Sequence, residues 1–283
     1  MSNNSAADAL KSRAGIRPQA VAGLKGLVRG ARAALMPARM AIGRLRLLSP
    51  LPLRFSGAYA SHAQALSAPA AGRLAGYDHD EIAEVSFDKM CQVVLWDYPV
   101  LFWLERLLPQ IDCLVDAGGH MGTKFRAFRP LLPIDGKIDW IVYDLPAIVR
   151  AGKARATREG LSGLSFTDDL ATVEGADLFL ASGLLQYLDV PMSDLLRRLP
   201  SLPRHLLINK LAVRDGETVV TLERIGKAMV PYQIRNRQNF MAELASLGYR
   251  VVDSWTIPSL SHVIDTHPEL GASQSMGLYL RLD

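Results

Sequence analysis

The spacing of apolar residues along this 283-residue chain changes near residue 111. Upstream, apolar and polar positions recur at helical intervals. Downstream, short apolar runs alternate with helix-period stretches. The runs "IDCLVDAG", "KIDWIVYDLP", "LSGLSFTDD", "GADLFLASG", "HLLINKLAV", "GYRVVDSWTI" and "SMGLYLRLD" read as strands, in that order. Helical patterns sit between them at Thr123 to Arg129, Ala147 to Glu159, Met192 to Leu199 and Arg237 to Leu247. Strand and helix in alternation predict an α/β fold: a doubly wound, Rossmann-like, mostly parallel seven-stranded sheet covered on both faces. The connection Pro258 to Gln274 is polar and lacks a helical pattern. An antiparallel last strand beside the sixth is therefore expected.

Three divisions follow: a basic leader over 1–54, a helical extension over 55–110 and the sheet domain over 111–283. In "AGLKGLVRGARAAL", Lys25, Arg29 and Arg32 fall on one side of a helix and Leu24, Leu27, Val28, Ala31 and Leu35 on another. Pro37 interrupts the pattern and "SPLPL" ends it. Three readings stand: an amphipathic segment lying on anionic lipid, giving a peripheral membrane contact, a solvated, partly disordered tail, or an arginine-rich, acid-poor targeting peptide. The glycines favour the tail. Residues 55–110 read as irregular helices broken at Pro99 and Pro109.

Composition adjusts this picture in two places. Apolar residues make up 49% and charged residues 21%, enough for a packed core. The net charge of +4 is an average over unlike parts: residues 1–54 hold ten Lys or Arg and one acid. The rest holds 22 basic and 27 acidic residues, so the body is mildly acidic, which argues against nucleic acid as a partner. Two cysteines cannot frame a disulfide scaffold or a four-ligand zinc site, and a reducing, cytoplasmic setting is expected. No apolar run reaches the length of a membrane span. His262 and His267 flank Asp265 without a third ligand, so no metal is expected.

The stretch "CLVDAGGHMGTKF" carries the candidate chemistry. Asp116 ends the first strand of the sheet domain. Gly118 and Gly119 allow a tight turn and close approach of backbone to a ligand, and Gly122 allows the next helix to pack on the sheet. Asp144 ends the next strand, 22 residues past Gly122, where a carboxylate can accept both hydroxyls of a ribose. This layout suits a nicotinamide dinucleotide or S-adenosylmethionine. The glycine turn alone is equally compatible with a plain tight turn and a solvated acid.

"VDAGGHMG" resembles the first motif of class I S-adenosylmethionine-dependent methyltransferases, and "YDLPAIV" resembles their second-strand ending. "ADLFLASGLLQYLD", which contains Ser182, resembles the fourth-strand segment leading to the acceptor. "RFSGAYASHAQAL", "GYD" at Gly76 to Asp78, "SGLLQYL" and "VPYQIRNR" resemble a bacterial family of uncharacterised methyltransferases. Genes of that family often occur with those for surface polysaccharides. The likeness spans roughly residues 54–283. It implies S-adenosylmethionine as cofactor, with Asp116, Gly118, Gly119, Gly122, Asp144, Asp168 and Ser182 around it. It also implies methyl transfer to a small polar or glycan-precursor acceptor, with oxygen favoured as the nucleophile.

The chain departs from that pattern twice. His120 stands at the middle-glycine position, where its ring would touch the cofactor or acceptor, turn to solvent, or obstruct the site. The histidine base expected after the fourth strand is replaced by Leu185, Gln186 and Tyr187. Gln186 could orient an acceptor, and Tyr187 could pack over the cofactor or serve as a core aromatic. Asn209 and Lys210 end the fifth strand. Tyr232, Gln233, Arg235 and Arg237 form a polar cluster whose arginines could clamp an anion. Asp168 and Asp169 suit either an adenine contact or a helix cap. The rival functions are a nicotinamide-dependent reductase and a non-catalytic, methyltransferase-like binding protein in glycan assembly.

Overall fold

The computed structural model describes residues 18–46, 53–68, 87–134, 136–226 and 228–283. The "GYD" stretch at 76–78 lies outside them. Chain order begins with helix α1 (Pro18–Leu45), strand β1 (Phe55–Tyr59) and helix α2 (His62–Ser67). Helix α3 (Phe87–Met90), a 3-10 turn (Leu95–Asp97) and helix α4 (Tyr98–Leu107) lead to β2 (Cys113–Ala117). Then come α5 (Thr123–Phe128), β3 (Asp139–Tyr143), α6 (Pro146–Glu159), β4 (Leu164–Thr167) and β5 (Leu178–Ser182). A 3-10 turn (Leu185–Tyr187) and α7 (Met192–Leu196) precede β6 (His205–Arg214), β7 (Val219–Ile225) and β8 (Ala228–Asn236). The chain closes with α8 (Arg237–Ser246), β9 (Tyr249–Thr256) and β10 (Gln274–Leu282).

The seven expected strands are β2, β3, β4, β5, β6, β9 and β10. Across the sheet they run β4-β3-β2-β5-β6-β10-β9. The first five pair in parallel. β10 inserts antiparallel between β6 and β9. The strand order reverses between β2 and β5, the place where doubly wound sheets bind ligands beyond their carboxyl ends. Apolar side chains on both faces form separate cores. Phe125, Phe128, Trp140 and Leu104 fill one, and Phe179, Met192, Leu196, Phe240 and Leu244 the other. Burial on both sides explains why these strands read as unbroken apolar runs.

Three strands depart from the expectation. Phe55–Tyr59, expected within a helical extension, is strand β1, and residues Val219–Ile225 and Ala228–Asn236 form a hairpin. β1 pairs with β7, β7 with β8, and β8 reaches β6 at Val213–Arg235 and Arg214–Asn236. β6 therefore serves two neighbours in turn, β5 through Asn209 and β8 from Val213 onward.

The switch follows a bulge. Asn209 and Lys210 together oppose Gly277, because Ile208 pairs with Leu278 and Leu211 with Met276. Lys210 has φ 57, a left-handed conformation that strains any residue with a Cβ. Opposite it, Trp255 lies across Gly277, where any Cβ would sit 2.0 Å from the indole. That indole N–H donates to Asn209 Oδ1 at 3.1 Å, which fixes the bulge.

α1 runs through Pro37, where the pattern predicted an interruption. Residues Pro18–Leu45 of the leader form a helix. Pro99 sits in the first turn of α4, where a missing N–H has no cost, and Pro109 in the 3-10 turn after it, so both mark boundaries of that helix as expected.

Candidate functional site

The β2–α5 turn is built by backbone constraints. Gly118 and Gly122 have φ 72 and 76, and Gly122 is the N-cap of α5. A Cβ at Gly119 would meet Asp116 Oδ2 at 2.4 Å, so this glycine is required by packing. The Gly118 N–H donates to the Tyr143 carbonyl at 2.8 Å, tying the turn to β3. Asp144 ends β3 and completes the tie. Its Oδ2 accepts the His120 N–H and its Oδ1 the Leu145 N–H, each at 2.8 Å. Burial raises the Asp144 pKa, and these two bonds oppose that rise. Each oxygen keeps a second lone pair for a hydroxyl.

His120 also adopts a left-handed conformation, φ 55. Glycine takes this geometry freely and histidine does not. The ring is 6% exposed, so it does not turn to solvent. Its Nδ1 is buried without a hydrogen-bond partner, and burial lowers its pKa, favouring the neutral ring. A buried, neutral, unpartnered nitrogen is the group in this turn best able to take a polar contact from a ligand.

Asp116 differs from its expected role. It is 1% exposed, and its carboxylate lies beneath the turn, accepting the Trp140 Nε1–H at 3.2 Å. Burial pushes its pKa to about 7, with the Trp140 bond and the neighbouring Lys124 opposing. It supports the turn from below and does not face outward to a cofactor. Asp168 is exposed just past β4, and Asp169 caps the following 3-10 turn through Ala171 N. Ser182 ends β5, partly buried, with its Oγ 3.4 Å from Asn209 Nδ2.

The acceptor-side candidates separate. Gln186 is buried and its amide nitrogen donates to the Gly183 carbonyl at 3.0 Å. Tyr187 donates its hydroxyl to Glu223 Oε2 at 2.7 Å and packs edge-on to Tyr232. Glu223 also receives Arg54, so this cluster joins β1 and β7 to the loop after β5. Tyr187 is thus a core aromatic with its hydroxyl engaged. Tyr232 lies buried on β8, its hydroxyl pKa pushed upward by burial and by Glu223. Arg235, proposed as an anion clamp, is buried. It donates to the carbonyls of Leu185, Leu188 (3.2 Å) and Val190 (3.4 Å), which leaves no fork for an acceptor. Arg237 pairs with Asp215 at 2.8 Å. Of the expected polar cluster, Tyr232, Gln233 and Arg235 lie on β8 and Arg237 opens α8.

Asn209 is 1% exposed and committed: it donates to the Trp96 carbonyl at 3.0 Å and accepts from Trp255. Lys210 stays available. Its side chain lies over Gly183, where a Cβ would come 2.7 Å from Nζ, and it makes no hydrogen bond or ion pair with the described residues. Burial and the nearby Lys124 lower its pKa to about 8, while Asp97 and Asp116 oppose.

Sequence reasoning missed the ion pair beneath these groups. Lys124 Nζ contacts Asp97 Oδ1 at 2.7 Å and Oδ2 at 2.8 Å, and Asp97 is fully buried. Asp97 Oδ2 also accepts the Val94 N–H at 3.1 Å. The pair, with the Asn209–Trp96 bond, pins the Leu95–Asp97 turn between the start of α5 and the bulge of β6. A lysine directly after a glycine turn was the available signal. Among the described residues no group of three or more His, Cys, Asp or Glu could hold a metal ion.

No protein-family model matches the chain, and no curated protein matches it. Solved structures do. The chain is similar to 1,6-didemethyltoxoflavin-N1-methyltransferase of Burkholderia thailandensis, solved with bound 1,6-didemethyltoxoflavin and S-adenosylhomocysteine. Identity is 19%, coverage is 67% of this chain and 79% of that one, and the TM-score is 0.45. It is similar to the mitomycin 7-O-methyltransferase MmcR at 18% identity, covering 70% of this chain and 54% of that one, with TM-score 0.45. An S-adenosylmethionine-dependent methyltransferase from Clostridium acetobutylicum ATCC 824 matches at 11% identity. It covers 73% of this chain and 96% of that one, with TM-score 0.42. The chain thus spans about half the length of MmcR.

Proposed function

We propose that this protein binds S-adenosylmethionine at the β2–α5 turn and transfers its methyl group to a small polar acceptor. The single observation behind the reading is the junction of Asp144 with the turn. A carboxylate at the end of the second strand of the domain is bonded to the backbone of a left-handed glycine-rich turn, at the point of strand reversal. The residues suit the group. Asp144 retains acceptor capacity for ribose hydroxyls, the His120 Nδ1 lacks a partner, and exposed Asp168 stands just past the next strand, where it could contact an adenine. When bound, the sulfonium supplies an already activated methyl, so the protein has mainly to align a nucleophile.

Lys210 is the acceptor-side residue in this reading. Asn209 and Lys210 do not end the strand as expected but form the bulge within β6, and from there the Lys210 nitrogen can accept a proton from an acceptor hydroxyl when neutral, or hold an acidic acceptor when charged. Gln186 and Tyr187 act indirectly by shaping the loop after β5. Oxygen as nucleophile and a glycan precursor as acceptor follow from the sequence resemblance alone.

A second reading is a methyltransferase-like protein that binds without turnover. It is favoured by the buried imidazole of His120 at the position of the middle glycine. Calorimetric titration with S-adenosylmethionine, S-adenosylhomocysteine and NAD tests the main reading: the two sulfur nucleosides bind and NAD does not. Preference for NAD overturns it. Turnover gained only in His120→Gly establishes the second.

A further inference from the structure

We propose that helix α1 docks the protein on the surface of an anionic lipid bilayer. One side of α1 is held by the body of the protein. At Gly43 the helix backbone lies against Asp265 and Thr266, so closely that a Cβ would come 2.0 Å from the Asp265 carbonyl oxygen. Met36 and Met40 are partly buried, and Arg46 follows with an ion pair to Asp265 at 3.9 Å.

Among the described residues no element covers the other side. Leu35, Ile42 and Leu45 are 60%, 58% and 66% exposed. At 3.6 residues per turn they lie roughly 80–160° around the helix from Gly43, on one stripe. Ala31 and Ala38 are exposed on the same stripe. Three large aliphatic side chains in water along one helix face call for a partner.

The charge identifies that partner. Helix α1 contains Lys25, Arg29, Arg32, Arg39 and Arg44 and no acid. Arg39, Arg44 and Arg46 are exposed. A second copy of this helix would bring like charges together without acidic residues to pair with them. A bilayer bearing anionic headgroups satisfies both features, taking the aliphatic stripe into its interface and the arginines at its phosphates. No described helix is long and apolar enough to cross a membrane, so the contact is one of lying on the surface. The glycines at 23, 26 and 30 lower the intrinsic helix propensity of the segment.

The test is flotation of the full chain with vesicles of phosphatidylcholine alone and with phosphatidylglycerol added. The wild type floats with the anionic vesicles at least tenfold more than with neutral ones, and less as salt is raised. The double variant Leu35→Glu/Ile42→Glu loses at least tenfold of that binding with an unchanged circular dichroism melt. Absence of wild-type flotation with anionic vesicles overturns the proposal, as does unchanged binding of the double variant. A dimer at micromolar concentration that the same substitutions dissociate would assign the stripe to a second copy and also overturn it. None of these outcomes depends on the cofactor.

Discussion

The backbone N–H of His120 donates to the Asp144 carboxylate at 2.8 Å, joining the turn after one strand to the end of the next. The bond is independent of the side chain at 120. It makes Asp144 a structural residue as well as a candidate ligand. Asp144→Ala frees two backbone donors, of which the His120 N–H is partly buried, a loss of about 1–3 kcal/mol. Urea denaturation checks this: the midpoint of the variant falls, with an unchanged slope.

The Lys124–Asp97 pair gives a larger effect. Lys124→Met leaves a fully buried carboxylate without its cation, which costs about 3–5 kcal/mol. In Lys124→Met/Asp97→Leu no charge is stranded, and much of the loss is recovered even though the Val94 N–H also loses its acceptor. A double-mutant cycle by denaturation measures the coupling; additive losses would contradict the account.

Asp116 makes stability depend on pH. Its folded pKa, about 7, lies above its ordinary value of 3.8, so between these values the native state holds more of this proton than the unfolded chain. Its contribution is complete below pH 3.8 and is lost as pH rises through about 7. Asp116→Asn removes that loss. The stability difference between variant and wild type, followed from pH 5 to 8, increases in favour of the variant with pH; a flat difference would contradict the assignment.

Lys210 has the opposite sense. Its pKa falls from 10.5 to about 8, so its contribution to stability is lost as pH falls through that range. The same shift makes it a reactive amine. Competitive acetylation read by peptide mass spectrometry gives Lys210 an apparent pKa near 8. A value equal to that of the surface lysines would remove Lys210 as a proton acceptor.

Much of this was legible in the sequence because the central strands β2, β5 and β6 are buried on both faces and read as apolar runs. The antiparallel insertion of β10 followed from the polar link at 258–274. The hairpin β7–β8 was hidden by Glu223, Arg224 and Pro231, residues that argue against a central strand. Glu223 is satisfied by Arg54 and Tyr187. Pro231 lies where β8 pairs with β7 alone, so its missing N–H breaks no ladder. The two-residue link Gly226-Lys227, between paired Ile225 and Ala228, was the overlooked hairpin signal. Within the site, the glycine turn and Asp144 were legible because their geometry is local. The inward turn of Asp116 and the commitment of Asn209 were not. They depend on Trp140, Trp255 and Trp96, which reach the site from β3, β9 and the turn before α4.

The central claim is that Asp144 holds the ribose of an adenosyl ligand at this turn. S-adenosylhomocysteine affinity, measured by calorimetry for the wild type and for Asp144→Ala shown by circular dichroism to be folded, tests it most directly. The account predicts a loss of about 1–3 kcal/mol, roughly ten- to a hundredfold in Kd. Equal affinities in the two proteins would contradict it.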